Sequence, residues 1–184
     1  MRKYYSELEN LLAKINNSRL TSIVQEVLLD NRDLGLENNK LKEEREYVTN
    51  YIDPETGLYN KNVLGKVRDC SSVLLFSIDN LDTYEEQDRI NVLRGVAQIL
   101  FNNSRLVDTV CRYNENEFLI AFVGCDLTVT SNRMEKIEEE IKNSIDSISL
   151  SVGGCIVNNG DSIDTVINRA RDSKTGGYKV KELK

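Results

Sequence analysis

The stretch Arg112-Tyr113-Asn114-Glu115-Asn116-Glu117-Phe118 decides how this chain is read, because it separates two short apolar runs, 106–111 and 118–123. Two apolar runs of strand length joined by a few polar, turn-tolerant residues predict a β-hairpin with this stretch at its tip. Outward from it, 73–78 is a further apolar run of strand length, and 148–157 reads as another strand. Ile90, Leu93, Ala97, Leu100 and Phe101 recur at helical spacing, as do Met134, Ile137, Ile141 and Ile145, and then Ile163, Val166, Ile167 and Ala170. A short last strand is expected at 178–180. Helices interleaved with strands, plus one hairpin, predict an α/β sandwich with a central mixed sheet flanked by helices.

The N-terminal part is different in kind. Residues 1–52 contain no proline and a single glycine, Gly35, and Leu20, Val27, Leu34, Leu41 and Val48 recur every seven residues. With these at heptad position d, Val24, Asn31, Asn38, Arg45 and Ile52 fall at a. Sustained heptads predict a long helix that pairs as a coiled coil, and polar residues at a weaken the pair while fixing its register. The alternative is a helix lying along its own domain. Gly35 and the weaker pattern before Leu20 predict a break or stutter in the seam. The helix should end near Asp53-Pro54, since proline lacks an amide donor and biases the residue before it away from helix. The chain therefore divides into a helical dimerisation segment, 1–52, and a globular domain, 53–184.

Composition narrows the chemistry. A formal net charge of −6 and a pI near 4.9 argue against nucleic acid or an anionic membrane surface as main partner. The chain has no histidine, which excludes a Ser-His-Asp triad, a His-ligated zinc site and an imidazole base. The four cysteines, Cys70, Cys111, Cys125 and Cys155, form no CxxC pair and are expected as reduced core thiols. No apolar stretch reaches the length of a membrane span, and the first residues lack a signal-peptide core, so a cytoplasmic location is expected.

The quoted heptapeptide resembles the Arg-Tyr-Gly-Gly-Asp-Glu-Phe signature of the GGDEF (diguanylate cyclase) family, with Asn114, Glu115 and Asn116 in place of Gly-Gly-Asp. The resemblance covers roughly 53–182. Asp53-Pro54-Glu55-Thr56-Gly57-Leu58-Tyr59-Asn60-Lys61 is similar to the family's Asp-x-Leu-Thr-Gly-Leu-x-Asn-Arg, where the linker helix meets the domain. Leu93-Arg94-Gly95-Val96-Ala97-Gln98-Ile99-Leu100, followed by Arg105-Leu106-Val107-Asp108, is similar to the run into the signature hairpin. Ser149-Leu150-Ser151-Val152-Gly153 resembles the Thr-x-Ser-Ile-Gly strand, and Asp164 with Ala170-Arg171 resembles the Ala-Asp-x-Ala-Leu-Tyr-x-Ala-Lys helix. The order and spacing of these matches identify a degenerate GGDEF domain behind a coiled-coil helix.

For a working cyclase the resemblance implies GTP between the first strand and the hairpin tip, with Mg²⁺ ions held by acidic residues. Such ions orient the nucleophile and neutralise phosphate charge. Here Ser77 stands where the family places a metal Asp, in Ser77-Ile78-Asp79, and Asn116 stands at the second metal carboxylate. Asn114 and Glu115 replace glycines that let the backbone approach the nucleotide, and Glu115 adds like charge near phosphate. Glu117 matches the signature, Glu85 falls at the guanine-reading Asn, and Arg171 at a phosphate-binding Lys. These replacements imply no catalysis and no cofactor, with Mg²⁺ relevant only to the alternative of a cyclase with atypical ligands. Under that alternative Glu115 and Glu117 converge with Asp79 on a metal, since alternate residues of a strand share a face.

Arg105-x-x-Asp108 has the spacing of the family's inhibitory site, where Arg and Asp bind cyclic di-GMP (c-di-GMP). Arg forms bidentate bonds to phosphate or a guanine edge, and Asp accepts from guanine nitrogens. Arg133 or Lys136 is the candidate second basic group. The resemblance thus implies a c-di-GMP receptor that dimerises through 1–52 and reports to an unidentified protein partner. A ligand-free scaffold is the third reading.

Overall fold

The computed structural model describes residues 18–174 and 180–181. In chain order the elements are α1 (Ser18–Tyr51), β1 (Tyr59–Asn60), a 3₁₀ helix (Lys61–Lys66), β2 (Cys70–Ile78), a 3₁₀ turn (Leu81–Thr83), α2 (Glu86–Asn102), β3 (Thr109–Arg112), β4 (Glu117–Val123), α3 (Leu127–Ser144), β5 (Leu150–Ile156), α4 (Ile163–Asp172) and β6 (Val180–Lys181). By internal contacts the chain divides into Met1–Val48 and Thr49–Lys184.

Residues 72–78 of β2 are buried without interruption. Strand side chains alternate between faces, so an unbroken buried run requires packing on both sides of the sheet. The strand order β1-β3-β4-β2-β5-β6 provides this by placing β2 in the interior. Its pairings with β4 and β5 are antiparallel, as is β3 with β4, whereas β1 with β3 and β5 with β6 are parallel. The mixed sheet flanked by helices matches the expectation.

On one face Leu74, Phe76, Ile78, Phe118, Ile120 and Phe122 pack with residues of α2 and α3 such as Leu93, Leu100, Ile137 and Ile141. On the other, Val73, Leu75, Leu119 and Ala121 meet Val63 and Leu64 of the 3₁₀ helix and Val166, Ile167 and Ala170 of α4. Each fully buried Val, Leu, Ile or Phe among them contributes about 2 kcal/mol. Cys111, Cys125 and Cys155 are buried and all four cysteines are free thiols. Burial pushes the Cys111 thiol up to about 12, which suits a small hydrophobe rather than a nucleophile.

Two details differ from expectation. β3 begins at Thr109 rather than 106, because Asp108 accepts from the Arg105 amide (2.9 Å) and turns the chain first. Leu106 and Val107 are consequently exposed. Phe101 is also exposed, and the buried face of α2 runs through Val92, Leu93, Val96, Ala97, Ile99 and Leu100. The helix α1 itself is continuous through Gly35. A mid-helix glycine costs about 1 kcal/mol relative to alanine, too little to interrupt 34 residues.

Along α1 the d-position residues Val27, Leu34, Leu41 and Val48 are all exposed. The helix stops where the sequence reading placed it. Near its end the Asn50 carbonyl is met by side chains, with Asn60 and Asn62 Nδ2 both donating to it (3.0 and 2.9 Å). Asp53 then holds a turn by accepting from the Thr56 amide (3.0 Å) and hydroxyl (2.6 Å), and Gly57 supplies its positive φ of 74°. Among the described residues, no helix is long and apolar enough to cross a membrane.

Candidate functional site

The opening heptapeptide is the hairpin tip. Tyr113 and Asn114 amides both donate to the Glu117 carbonyl (2.7 and 3.2 Å), closing the loop between β3 and β4. Arg112 anchors its base, donating to Asp53 (3.3 Å), to the Glu55 carboxylate and to the Glu115 carbonyl (2.9 Å).

Register then decides what the tip presents. Glu117 lies opposite Ser77, and Ser77 opposite Ser151, so three polar side chains form one row across β4, β2 and β5. The row lies on the sheet face covered by α4. Glu117 is only 8% exposed, and four side chains bind its carboxylate. Oε1 accepts from Ser77 Oγ (3.1 Å) and Lys174 Nζ (2.7 Å). Oε2 accepts from Arg171 Nη2 (2.9 Å) and Asn114 Nδ2 (2.7 Å). Lys174 Nζ also hydrogen-bonds to Ser77 Oγ. Burial by itself raises the pKa of Glu117, but the hydrogen bonds from Arg171, Lys174 and Asn114 and the Lys174 charge outweigh it and hold the carboxyl at about 2.

The remaining tip residues turn elsewhere. Asn116 Nδ2 donates to the Ile78 carbonyl (3.1 Å), while the Asn116 carbonyl accepts from the Ile78 amide (3.0 Å). Asp79 accepts from Ser151 Oγ (2.6 Å). Glu115 is exposed. It belongs to the loop rather than to β4, so strand alternation does not bring it beside Glu117, and the convergence with Asp79 that the alternative of an atypical metal site needs is not formed. No group of three or more His, Cys, Asp or Glu side chains with metal-binding geometry occurs among the described residues. Glu85 caps α2 through its backbone, with no side-chain hydrogen bond to the helix.

Lys174 is the member of this cluster that sequence reasoning missed. It follows Arg171 by three residues, one helical turn on, and that spacing is the signal that could have found it. α4 brings both cations close because its path hugs β5. A Cβ on Gly153 would lie 2.0 Å from the Ala170 carbonyl oxygen. Ser173 Oγ reinforces the contact by accepting from the Gly154 amide (2.9 Å).

A second carboxylate cluster stands at the opposite end of the hairpin. The Asp108 side chain is 0% exposed and its Oδ1 accepts from Arg105 Nη2 (3.0 Å) and the Val123 amide (3.2 Å). Its Oδ2 accepts from the Arg105 amide (2.9 Å), Arg105 Nε (3.2 Å) and Arg133 Nη1 (3.4 Å). Burial opposes ionisation, but the bonds from Arg105 and Val123 hold the carboxyl below its ordinary pKa. The Arg105 side chain is 47% exposed, and Nη2 also donates to the Val123 carbonyl (2.6 Å). Its Nη1 has no partner among the described residues. Arg133, one of the two candidate second basic groups, reaches this cluster; Lys136 is exposed on the next turn of α3. Arg105 and Asp108 border a cleft of about 420 Å³ that includes Leu58, Tyr59, Phe101 and Val110.

Comparison with known proteins places this geometry. The chain is 28% identical over 114 residues to diguanylate cyclase DosC of Escherichia coli K12, a match covering 55% of this chain and 25% of DosC. It thus spans about a quarter of the length of the curated relatives it matches. The coiled coil and GGDEF domain of DgcB from Caulobacter crescentus, solved in complex with c-di-GMP, superposes with a TM-score of 0.72 at 21% identity, covering 80% of this chain and 91% of that one. Diguanylate cyclase SiaD of Pseudomonas aeruginosa, solved with its activator SiaC, gives 0.61 at 17% identity, covering 93% and 74%. Residues 50–181 match the family described as "Diguanylate cyclase, GGDEF domain", and the chain belongs to the GGDEF family.

Proposed function

We propose that this protein is a catalytically silent GGDEF domain that receives c-di-GMP at Arg105 and Asp108 and acts as a dimer paired through its N-terminal helix. The observation that carries the silence is the saturation of Glu117. Its carboxylate, the one acid this chain keeps from the signature, is engaged by Arg171, Lys174, Asn114 and Ser77. An acid so occupied has no lone pair left for a substrate hydroxyl.

Three features support the receptor half. Arg105 is held by Asp108 yet leaves Nη1 without a partner among the described residues, beside an apolar cleft. Arg133 adds a second guanidinium. The similar DgcB domain was solved with c-di-GMP. The exposed heptad stripe of α1 supports pairing of two copies, whose geometry a bound ligand would report to a protein partner.

Calorimetric titration of the full chain with c-di-GMP tests the reading. Saturable binding is expected, and Arg105→Ala should abolish it. A flat titration at high ligand concentration sinks the receptor, while product from GTP with Mg²⁺ or Mn²⁺ sinks the silence.

A further inference from the structure

We propose that the Lys174 ammonium is a built-in substitute for a divalent cation, held by this chain beside Ser77 of β2, where the family resemblance implies a metal ligand. Mg²⁺ requires near-octahedral oxygen donors and relies on carboxylates. The row across β4, β2 and β5 offers Ser77 and Ser151, both neutral, and Glu117, the single acid, which is filled. Asn116 directs its amide nitrogen to the Ile78 carbonyl, and Asp79 is engaged by Ser151. The donor set does not fit a resident divalent ion.

It does fit an ammonium. Nζ lies 2.7 Å from Glu117 Oε1 and bonds Ser77 Oγ, the residue standing where the family resemblance implies a metal carboxylate. The Lys174 side chain is 12% exposed. With Arg171 on Oε2, two fixed positive charges face one carboxylate, and the cluster carries a net charge of +1 that repels an arriving cation. A tethered cation cannot be chelated or diluted away. The junction of hairpin, central strand and α4 is therefore set by the chain itself, independent of divalent ion concentration.

The inference rests on the reading of this site as silent, but the two fail separately. GTP turnover overturns the silence, whereas Mn²⁺ uptake by the wild type without turnover overturns only the substitution. The test uses Mn²⁺ as probe, read by electron paramagnetic resonance and by thermal unfolding of the full chain. The wild type should bind no Mn²⁺ at this site and unfold at the same temperature in Mn²⁺ and in EDTA. Ser77→Asp combined with Lys174→Ala, which restores a carboxylate and removes the ammonium, should bind Mn²⁺ and melt higher with it. Ser77→Asp alone, with the ammonium in place, should bind at least about ten-fold more weakly. Equal Mn²⁺ affinity in wild type and double variant, equal affinity with and without Lys174, or no binding by the double variant each overturns the proposal. Should the double variant not fold, ¹⁵N-lysine spectra of the wild type decide. One ammonium resonance protected from exchange, absent in Lys174→Met and unbroadened by Mn²⁺, is expected; broadening of that resonance refutes the substitution.

Discussion

The hairpin formed by β3 and β4 carries an arginine-bound carboxylate at each end, and the two are built from different parts of the chain. Asp108 is held by neighbours: Arg105 lies three residues away and Val123 on the adjacent strand. Glu117 is held by Arg171 and Lys174, which stand 54 and 57 positions downstream on and after α4. The local cluster leaves a guanidinium edge facing a cleft, whereas the long-range one buries its ammonium. A pair close in sequence can form before the domain packs. The distant pair exists only when α4 is docked, so it reports on the tertiary fold and leaves little room for a ligand.

That contrast should appear first in stability. Glu117→Ala removes the only acid facing two cations, one of them nearly enclosed, and should destabilise the fold by about 4 kcal/mol in urea unfolding. A loss below about 1 kcal/mol would mean the cluster is loosely solvated. Acid should reach the same group. Because folding depresses the Glu117 pKa from 4.5 to about 2, its contribution is present above pH 4.5 and is lost as the pH falls toward 2. The expected loss is on the order of 3 kcal/mol, and Glu117→Gln should flatten the dependence, leaving a smaller slope of the same sign from Asp108. At the other end the effect on folding should be smallest. Arg105→Ala leaves Asp108 its bonds to Arg133, the Val123 amide and the Arg105 amide, so a cost of about 1 kcal/mol is expected while c-di-GMP titration goes flat. Equal costs at the two ends would mean that both carboxylates are held in the same way.

The contrast also explains what could be read from the sequence. Apolar runs and helical spacings gave the strands and helices because burial imposes those periods directly. Arg105 and Asp108 were legible because both lie within one turn. Ser77 and Asn116 were legible as departures from a motif. Lys174 carried only the signal of its three-residue spacing from Arg171, because its role depends on the register of Ser77 against Glu117 and on how closely α4 approaches β5. The exposure of Leu106 follows a related rule: apolar spacing says which residues suit a core, and the turn made by Asp108 keeps Leu106 from reaching it.

One missing carbon atom sets the scale of the distant cluster. At Gly153 the backbone of β5 comes so near the Ala170 carbonyl that any side chain would collide with it. A helix held at ordinary distance from the sheet would leave the Lys174 stem short of Ser77 and Glu117. The glycine therefore works as a ruler: by fixing the gap between helix and strand, it fixes how far a positive charge on the helix can reach into the sheet. Any relative in which that position carries a side chain should need some other source of charge at the hairpin tip.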